Sequence, residues 1–365
     1  MRIAFISAMS GAPWGGSEEL WSRAAFLFLK RGHTVASSTK YWPIEPHQIA
    51  QLRTNGASVN LRRTDTIVRR IVSRLRDPAE DFLKLSRPDL VVISQGANSD
   101  GLPWMEACAR ANVPYVSIAH NAPPWCWPVD EIAERLRAAY LGARKTLFVS
   151  HENLALTERQ IVAKLPNAEV VRNPFNVPYD ASLQWPDKDY IQVACVARLD
   201  TYSKGHDILF DVMSETKWRE RNLRVALYGR GPNERTLREE CTARALTAVA
   251  FAGFVPDPLH IWRSAHCLIL PSRAEGLPLV VVEAMLCARP CIVSNAAGNP
   301  ELLEDNITGF IARTTTPAGL DEALERAWAL RHQWQDIGKR AALAVREMVP
   351  SDPVQVFVDL LLSLA

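Results

Sequence analysis

Two glutamates, Glu275 and Glu283, stand eight positions apart in the stretch 271–285, Pro-Ser-Arg-Ala-Glu-Gly-Leu-Pro-Leu-Val-Val-Val-Glu-Ala-Met. Carboxylates accept hydrogen bonds from hydroxyls, and a buried site built on them rejects ligands that lack those hydroxyls. Two cations, Arg198 and Lys204, share the short segment 198–205, Arg-Leu-Asp-Thr-Tyr-Ser-Lys-Gly. A pair of cations suits a diphosphate. A histidine, His120, precedes Asn-Ala-Pro-Pro-Trp. Together these groups describe a ligand that carries both hydroxyls and phosphate. Each also has an ordinary reading: a solvated loop carboxylate, a surface helix residue, scattered surface charge, a histidine bonded to its own loop. Glu-x7-Glu by itself arises by chance.

The elements that must hold these residues follow from hydropathy. The apolar run 266–270 reads as a buried parallel strand. Pro278 then falls where a helix starts, a position that tolerates proline because its missing N–H has no helical partner there. The helix is expected to run to about Ala288, where Arg289-Pro290 stops it. Glu275 is then in the loop at a strand's carboxyl end, and Glu283 is inside the helix that follows. Ligands of open α/β sheets bind outside the carboxyl ends of strands, and free N–H groups at a helix start attract anions.

Strands and helices alternate through most of the chain, which implies parallel sheets with helices on both faces. In the first half, strands are expected near 33–37, 58–61, 90–94, 115–119 and 146–150. After the first strand comes the loop 8–16, with Gly11, Gly15 and Gly16. It lacks Gly-x-Gly-x-x-Gly, which weakens a dinucleotide-dehydrogenase reading. Gly15-Gly16 either lets backbone approach a ligand or forms a plain tight turn. His120 directly follows the strand 115–119, and Trp125 and Trp127 stand where they could stack on a sugar or pack the loop. The segment 61–76 reads as a helix with Ile67, Val68, Ile71, Val72 and Leu75 on one face and arginines from Arg62 to Arg76 on the rest. Such a helix is either solvated with one core face or lies on an anionic membrane.

In the second half, strands near 191–196, 223–228, 249–252, 291–294 and 310–311 each end in a loop on the same edge. Those loops carry Arg198 and Lys204, then Gly229 and Gly231, then Phe254 and Val255. The stretch 172–189 holds Pro174, Pro178 and Pro186 without periodicity and reads as a linker. A break at 350–353 precedes a last apolar helix, 354–364.

Size and composition agree. A chain of 365 residues exceeds the usual single-core limit. Domains are expected at 1–173 and 190–349, with 350–365 returning to the first. A net charge of +2 argues against a nucleic-acid binder. A strand begins at the first residues, so no signal peptide is expected. No apolar run approaches the ~20 residues of a membrane helix. Seven cysteines without Cys-x-x-Cys suggest a reducing cytoplasm and no structural metal.

The stretch 271–285 resembles the signature of retaining glycosyltransferases of family four, which have the GT-B fold. The resemblance extends along nearly the whole chain. Gly15-Gly16-Ser17-Glu18 is similar to the family's N-terminal glycine loop, and His120 falls at its acceptor-side histidine, although Asn121 stands where many members carry aspartate. Val196-Ala197-Arg198-Leu199 with Lys204-Gly205 resembles its diphosphate pair. Gly229-Arg230-Gly231-Pro232 and Phe251-Ala252-Gly253 resemble its nucleotide loops. Gly298 to Glu301 and Thr308-Gly309-Phe310 complete the pattern.

The resemblance implies two Rossmann-like domains facing across a cleft, the last helix returning to the first domain. It implies transfer of a sugar from a UDP- or GDP-linked donor to a sugar, lipid-linked or small-molecule acceptor, with retention and without a metal or other cofactor. Arg198 and Lys204 would hold the diphosphate, Glu283 the ribose, and Glu275 and His120 hydroxyls of the transferred sugar. Gly15, Gly16, Gly229, Gly231, Phe254, Val255, Gly276, Leu277, Pro278 and Leu279 would line the nucleotide sugar. The implied location is cytoplasmic, with membrane contact open through 62–76. A sugar-nucleotide epimerase, a phosphorylase and a catalytically silent binding subunit share the architecture. The chain's length and the lack of a recognisable pyridoxal site disfavour the phosphorylase, and the joint presence of Glu275, Arg198, Lys204 and His120 disfavours a silent subunit.

Overall fold

Alternating side chains in the first strand decide how the N-terminal half packs. In β1 (Arg2–Ser7), Ile3 and Phe5 join Leu20, Trp21, Ala24 and Phe28 on one face, while Ala4 and Ile6 join Val91, Ile93 and Met105 on the other. A strand apolar on both faces needs cover on both sides, and parallel sheets supply it with crossover helices. The computed structural model describes residues 1–63 and 77–364. It adds β2 (Thr34–Lys40), β3 (Ser58–Arg62), β4 (Leu90–Ala97), β5 (Tyr115–Asn121), β6 (Lys145–Phe148) and β7 (Ala168–Val170). These form one parallel sheet in the order β3-β2-β1-β4-β5-β6-β7.

A second parallel sheet contains β8 (Ile191–Val196), β9 (Leu223–Tyr228), β10 (Val249–Gly253), β11 (Cys267–Leu270), β12 (Cys291–Ser294) and β13 (Phe310–Ala312), in the order β10-β9-β8-β11-β12-β13. One of its faces packs Val193, Leu227, Ile269 and Phe310 against Phe210, Leu324 and Trp334. In each sheet the strand order reverses once, between β1 and β4 and between β8 and β11. Crossovers leave in opposite directions there, which opens a crevice at the strands' carboxyl ends.

The chain divides into two compact units, 1–174 with 352–365 and 175–351. The last helix, Pro353–Ser363, belongs to the first unit. Its Phe357, Val358 and Leu361 are buried in the same cluster as Trp21 and Phe28 of the helix Gly16–Lys30. Arg31 Nη2 donates to Gln355 Oε1 at 2.8 Å.

Several expectations shift. β5 continues to Asn121, so His120 lies within the strand. The helix after Glu275 is Leu279–Leu286, with Pro278 at its N-cap rather than in its first turn. Ala288 takes φ +55° and ends the chain's helical path before Arg289-Pro290 is reached. The short edge strand β7 has no apolar pattern to reveal it. The helix expected over 61–76 fails at its start, because Leu61 and Arg62 belong to β3, and 64–76 lies outside the described residues. Arg62 is not on a basic outer face. It donates to Ser38 Oγ at 2.8 Å and to the Ser7 carbonyl, and stacks over Trp104 at 5.2 Å. Burial pushes its guanidinium down to about 10. Among the described residues no helix is long and apolar enough to cross a membrane.

Glu18, in the first turn of the helix Gly16–Lys30, is only 3% exposed. Its Oε1 accepts from Ser7 Oγ at 3.1 Å and Ser17 Oγ at 3.4 Å, and its Oε2 from Trp21 Nε1 at 3.0 Å. Burial outweighs these donors and raises the carboxyl from 4.5 to about 7.

Two measurements follow from this packing. Phe357 is fully buried, so Phe357→Ala should cost the first unit about 3–5 kcal/mol in urea unfolding, while an exposed neighbour such as Val356→Ala changes little. The second concerns pH. Between 4.5 and about 7 the folded state holds a proton on Glu18 that the unfolded chain has lost. That contribution to stability is complete below 4.5 and is lost as pH rises through about 7. Glu18→Gln has no such loss, so its unfolding free energy relative to wild type should climb by on the order of 3 kcal/mol from pH 4.5 to pH 8. A difference that stays flat with pH would contradict the assigned protonation.

Candidate active site

The second unit gathers its functional groups at the β8/β11 reversal, and glycines let the loops meet. Gly205 has φ +65°, and a Cβ there would stand 2.1 Å from the Pro271 carbonyl oxygen. Gly229 has φ +143°, and its Cβ would meet the Ala197 carbonyl oxygen at 2.0 Å. The loops after β8, β9 and β11 are therefore packed backbone to backbone. Leu199 N donates to Arg230 O at 3.0 Å, and Arg273 N donates to Ser203 O at 2.8 Å. The Arg273 guanidinium grips Asp207 at 2.8 and 2.5 Å, and the Gly276 carbonyl accepts from Gly298 N at 3.0 Å.

This lacing brings Lys204 and Glu275 into contact across 71 residues of sequence. Lys204 Nζ donates to Glu275 Oε1 at 2.7 Å, and Ser272 Oγ donates to the same oxygen at 2.6 Å. Ser272 is itself buried, and its carbonyl accepts from Ser294 Oγ. Glu275 is also buried, and among the described residues its Oε2 has no hydrogen-bond partner. An ammonium has three donors, so one bond to Glu275 orients Lys204 without exhausting it. Arg198 pairs with Asp200 at 2.6 Å, and Asp200 also accepts from Ser203 Oγ at 2.9 Å.

Glu283 is buried one turn along the helix Leu279–Leu286. Its Oε1 accepts from Asn176 N at 2.9 Å and Asn176 Nδ2 at 3.1 Å, which fixes the carboxylate's orientation. Gly276, Leu277 and Pro278 are buried beneath the same helix start, and Leu279 is partly covered. Phe254 is 60% exposed with the Arg230 guanidinium 5.9 Å from its ring centre, and Val255 is half-buried beside it. Gly231 sits against the Leu199 backbone, where a Cβ would come within 2.3 Å of its oxygen.

Sequence reasoning missed Ser272, Asp200, Asn176 and His206. His206 follows Gly205, is fully buried, and has no hydrogen-bond partner on either ring nitrogen among the described residues. Burial and the neighbouring Lys204 push it down to about 4, so it is neutral. The segment Ser-Lys-Gly-His was the available signal, since a buried histidine after a cation must stay uncharged.

Gly15, Gly16 and His120 belong to the first unit. Gly15 is the N-cap of the helix Gly16–Lys30, with nothing within 4 Å of an added Cβ. His120 is buried with both nitrogens engaged, Nδ1 by Asn173 Nδ2 and Nε2 by Ser94 Oγ, each at 3.2 Å. As the Asn173 amide is oriented, the ring proton stands on Nε2. Burial pushes the imidazole down to about 3, so it is neutral near pH 7.

Among the described residues no group of three or more His, Cys, Asp or Glu gathers as a metal site would. The chain contains one Asp-x-Asp, the acidic motif that often holds a metal, at Asp187-Lys188-Asp189. Both carboxylates are exposed and precede the amino end of β8, on the edge opposite the loops described above.

Residues 191–329 match the family model described as Glycosyl transferases group 1, a span that contains the loops after β8, β9, β10 and β11. The chain is 27% identical over 176 residues to an uncharacterized glycosyltransferase of Methanocaldococcus jannaschii, covering 44% of each protein. It is 26% identical over 165 residues to the O-antigen chain mannosyltransferase C of Escherichia coli, covering 44% of this chain and 43% of that protein. The chain thus spans less than half the length of these curated relatives. The crystal structure of Anabaena HepE in complex with UDP and glucose aligns with TM-score 0.80 at 18% identity, covering 100% of this chain and 99% of that one. At that identity the likeness is one of fold, and the fold is the GT-B class with two Rossmann-like units.

Proposed function

We propose that the protein is a glycosyltransferase that moves a sugar from a nucleoside diphosphate donor, UDP- or GDP-linked, to an acceptor hydroxyl. The observation that carries this reading is the Lys204–Glu275–Ser272 contact at the strand-order reversal of the unit that matches Glycosyl transferases group 1. A diphosphate leaving group gains negative charge as the glycosidic bond breaks. Cations already held in place stabilise that charge without reorganising, and a helix N-terminus adds to them. Lys204 is held by Glu275, Arg198 by Asp200, and the helix Leu279–Leu286 begins beside them.

Glu275 Oε1 is occupied by Lys204 and Ser272, which leaves Oε2 for a hydroxyl of the transferred sugar. Glu283 is assigned to the ribose, and Phe254 and Val255 to the base. The resemblance to family four would give His120, Gly15 and Gly16 of the first unit roles at the donor; both ring nitrogens of His120 are engaged within that unit, by Asn173 and Ser94. Retention of configuration, membership of family four and a cytoplasmic role in glycan, glycolipid or polysaccharide synthesis extend the reading on the strength of the Glu275–Glu283 motif. The UDP and glucose bound to HepE support a nucleotide-sugar donor.

Two experiments test it. The first separates the carboxylates. In Glu275→Gln the amide oxygen can still receive Lys204 and Ser272, but the second oxygen becomes a donor. Transfer should fall by about 10² or more in kcat, while calorimetry with UDP or GDP shows nearly unchanged affinity. Glu283→Gln should raise the donor KM about tenfold and weaken the free nucleotide in step. Equal weakening of the nucleotide by both variants would refute the assignment of sugar to one and ribose to the other. Donor turnover without any acceptor would favour the epimerase. The second experiment is chelation: with fixed cations at the diphosphate, transfer should persist in EDTA. Loss of activity restored by Mg²⁺ or Mn²⁺ would show that a metal is required.

A further inference from the structure

The carboxyl ends of β1 and β2 carry a second concavity, wholly within the first unit. It has a volume of about 240 Å³, and its lining includes Ser7, Trp14, Glu18, Lys40, Tyr41 and Trp42. The three aromatic side chains are partly exposed, whereas Glu18 is buried at the inner end. That combination, apolar walls with a few desolvated polar groups, Ser7, Glu18 and Thr39, is the composition of a small-molecule site. A buried carboxyl beside so much apolar surface is costly to the fold, which marks it as a candidate for function.

The charges around it are mostly committed. Arg62 is turned to Ser38 and the Ser7 carbonyl, and Arg63 lies over the Tyr41 ring at 4.2 Å. Glu45 pairs with Arg53 at 2.7 Å, and Glu19 pairs with Arg23 at 2.8 Å and receives Trp14 Nε1 at 2.7 Å. Lys40 Nζ donates to the Ser10 carbonyl at 3.2 Å and lies over Trp42 at 4.6 Å. Among the described residues the pocket lining therefore offers aromatic surface, a carboxyl and, in Lys40, a single ammonium donor, rather than a cluster of cations for phosphate. A ligand with apolar C–H faces and a rim of hydroxyls fits that set. The volume lies just below the range for drug-sized ligands, which starts at ~300 Å³, and so suits a single ring.

We propose that this pocket is a saccharide subsite that takes one uncharged sugar ring, with Trp14, Tyr41 and Trp42 against its C–H faces and Glu18 receiving a hydroxyl. Its connection to His120 runs through Ser94, whose Oγ contacts both His120 Nε2 and the carbonyl of Ser17, next to Glu18. The use of this subsite for the acceptor rests on the transfer reading above; the binding of a sugar does not.

The test is binding of methyl glucoside, galactoside and mannoside, as α and β anomers, to the full chain by saturation-transfer NMR and titration, without nucleotide. At least one pyranoside should bind in the millimolar range. Trp42→Ala and Tyr41→Ala should each weaken it tenfold or more, and Glu18→Leu should do the same, while UDP or GDP affinity stays within twofold. Should Glu18→Leu fail to fold, the two aromatic variants decide the matter alone. The proposal is overturned if no pyranoside binds, if binding survives the aromatic substitutions, or if a free nucleoside competes for the pocket. Sugar binding that obeys these substitutions, with no transfer from any donor, would keep the subsite and sink the transferase reading. Transfer to a sugar acceptor that is indifferent to Trp42→Ala and Tyr41→Ala would do the reverse.

Discussion

The second unit depends on how closely two backbones approach. Gly205 lies against the Pro271 carbonyl at a separation no side chain permits. That approach draws the loop after β8 onto the loop after β11. Lys204 precedes the glycine and Glu275 follows the proline by four residues, so the same contact sets the ion pair. Gly229 and Gly231 repeat the device against Ala197 and Leu199. A glycine costs conformational entropy on folding. Here the cost is offset by a set of loops held without long side chains between them, which leaves the sheet edge narrow and its charges fixed.

Fixed charge is the common feature of this edge. Arg198 and Lys204 each have a carboxylate partner, and both of those carboxylates accept from a hydroxyl as well. Such networks lose little entropy when a ligand arrives, which is what preorganised electrostatic stabilisation requires. The histidines act differently. His120 and His206 are buried and neutral, pushed well below their ordinary range by loss of water. His120 contributes hydrogen bonds within the first unit, while His206 contributes shape alone; neither adds positive charge to that of Arg198 and Lys204 in the second unit.

The first unit shows the opposite balance. Glu18 is buried and Arg62 partly buried there, and no hydrogen bond joins them among the described residues. Arg62 faces inward because β3 extends to include it, and its planar guanidinium finds a hydroxyl, a carbonyl and the Trp104 ring. Glu18 accepts three donors yet remains desolvated. The last helix seals the opposite end of this packing, with Phe357 and Leu361 against the helix that begins at Gly16.

The linear sequence determined the alternation of strands and helices, because hydropathy period reports how each element is buried. β8, β9 and β12 fall where their apolar runs place them. It also placed Arg198, Lys204, Glu275 and Glu283 in loops or helices at strand ends, since proline and glycine punctuate the chain there. Which loops meet was decided only in three dimensions. Lys204 touching Glu275, Asn176 holding Glu283, Arg62 turning inward, and Trp14 sharing a pocket with Trp42 all join residues far apart in sequence or on different elements. Hydropathy says that a strand is buried but not which strand lies beside it. Strand order, and the point where it reverses, comes from the packing of whole crossovers, and the candidate site lies where that order turns.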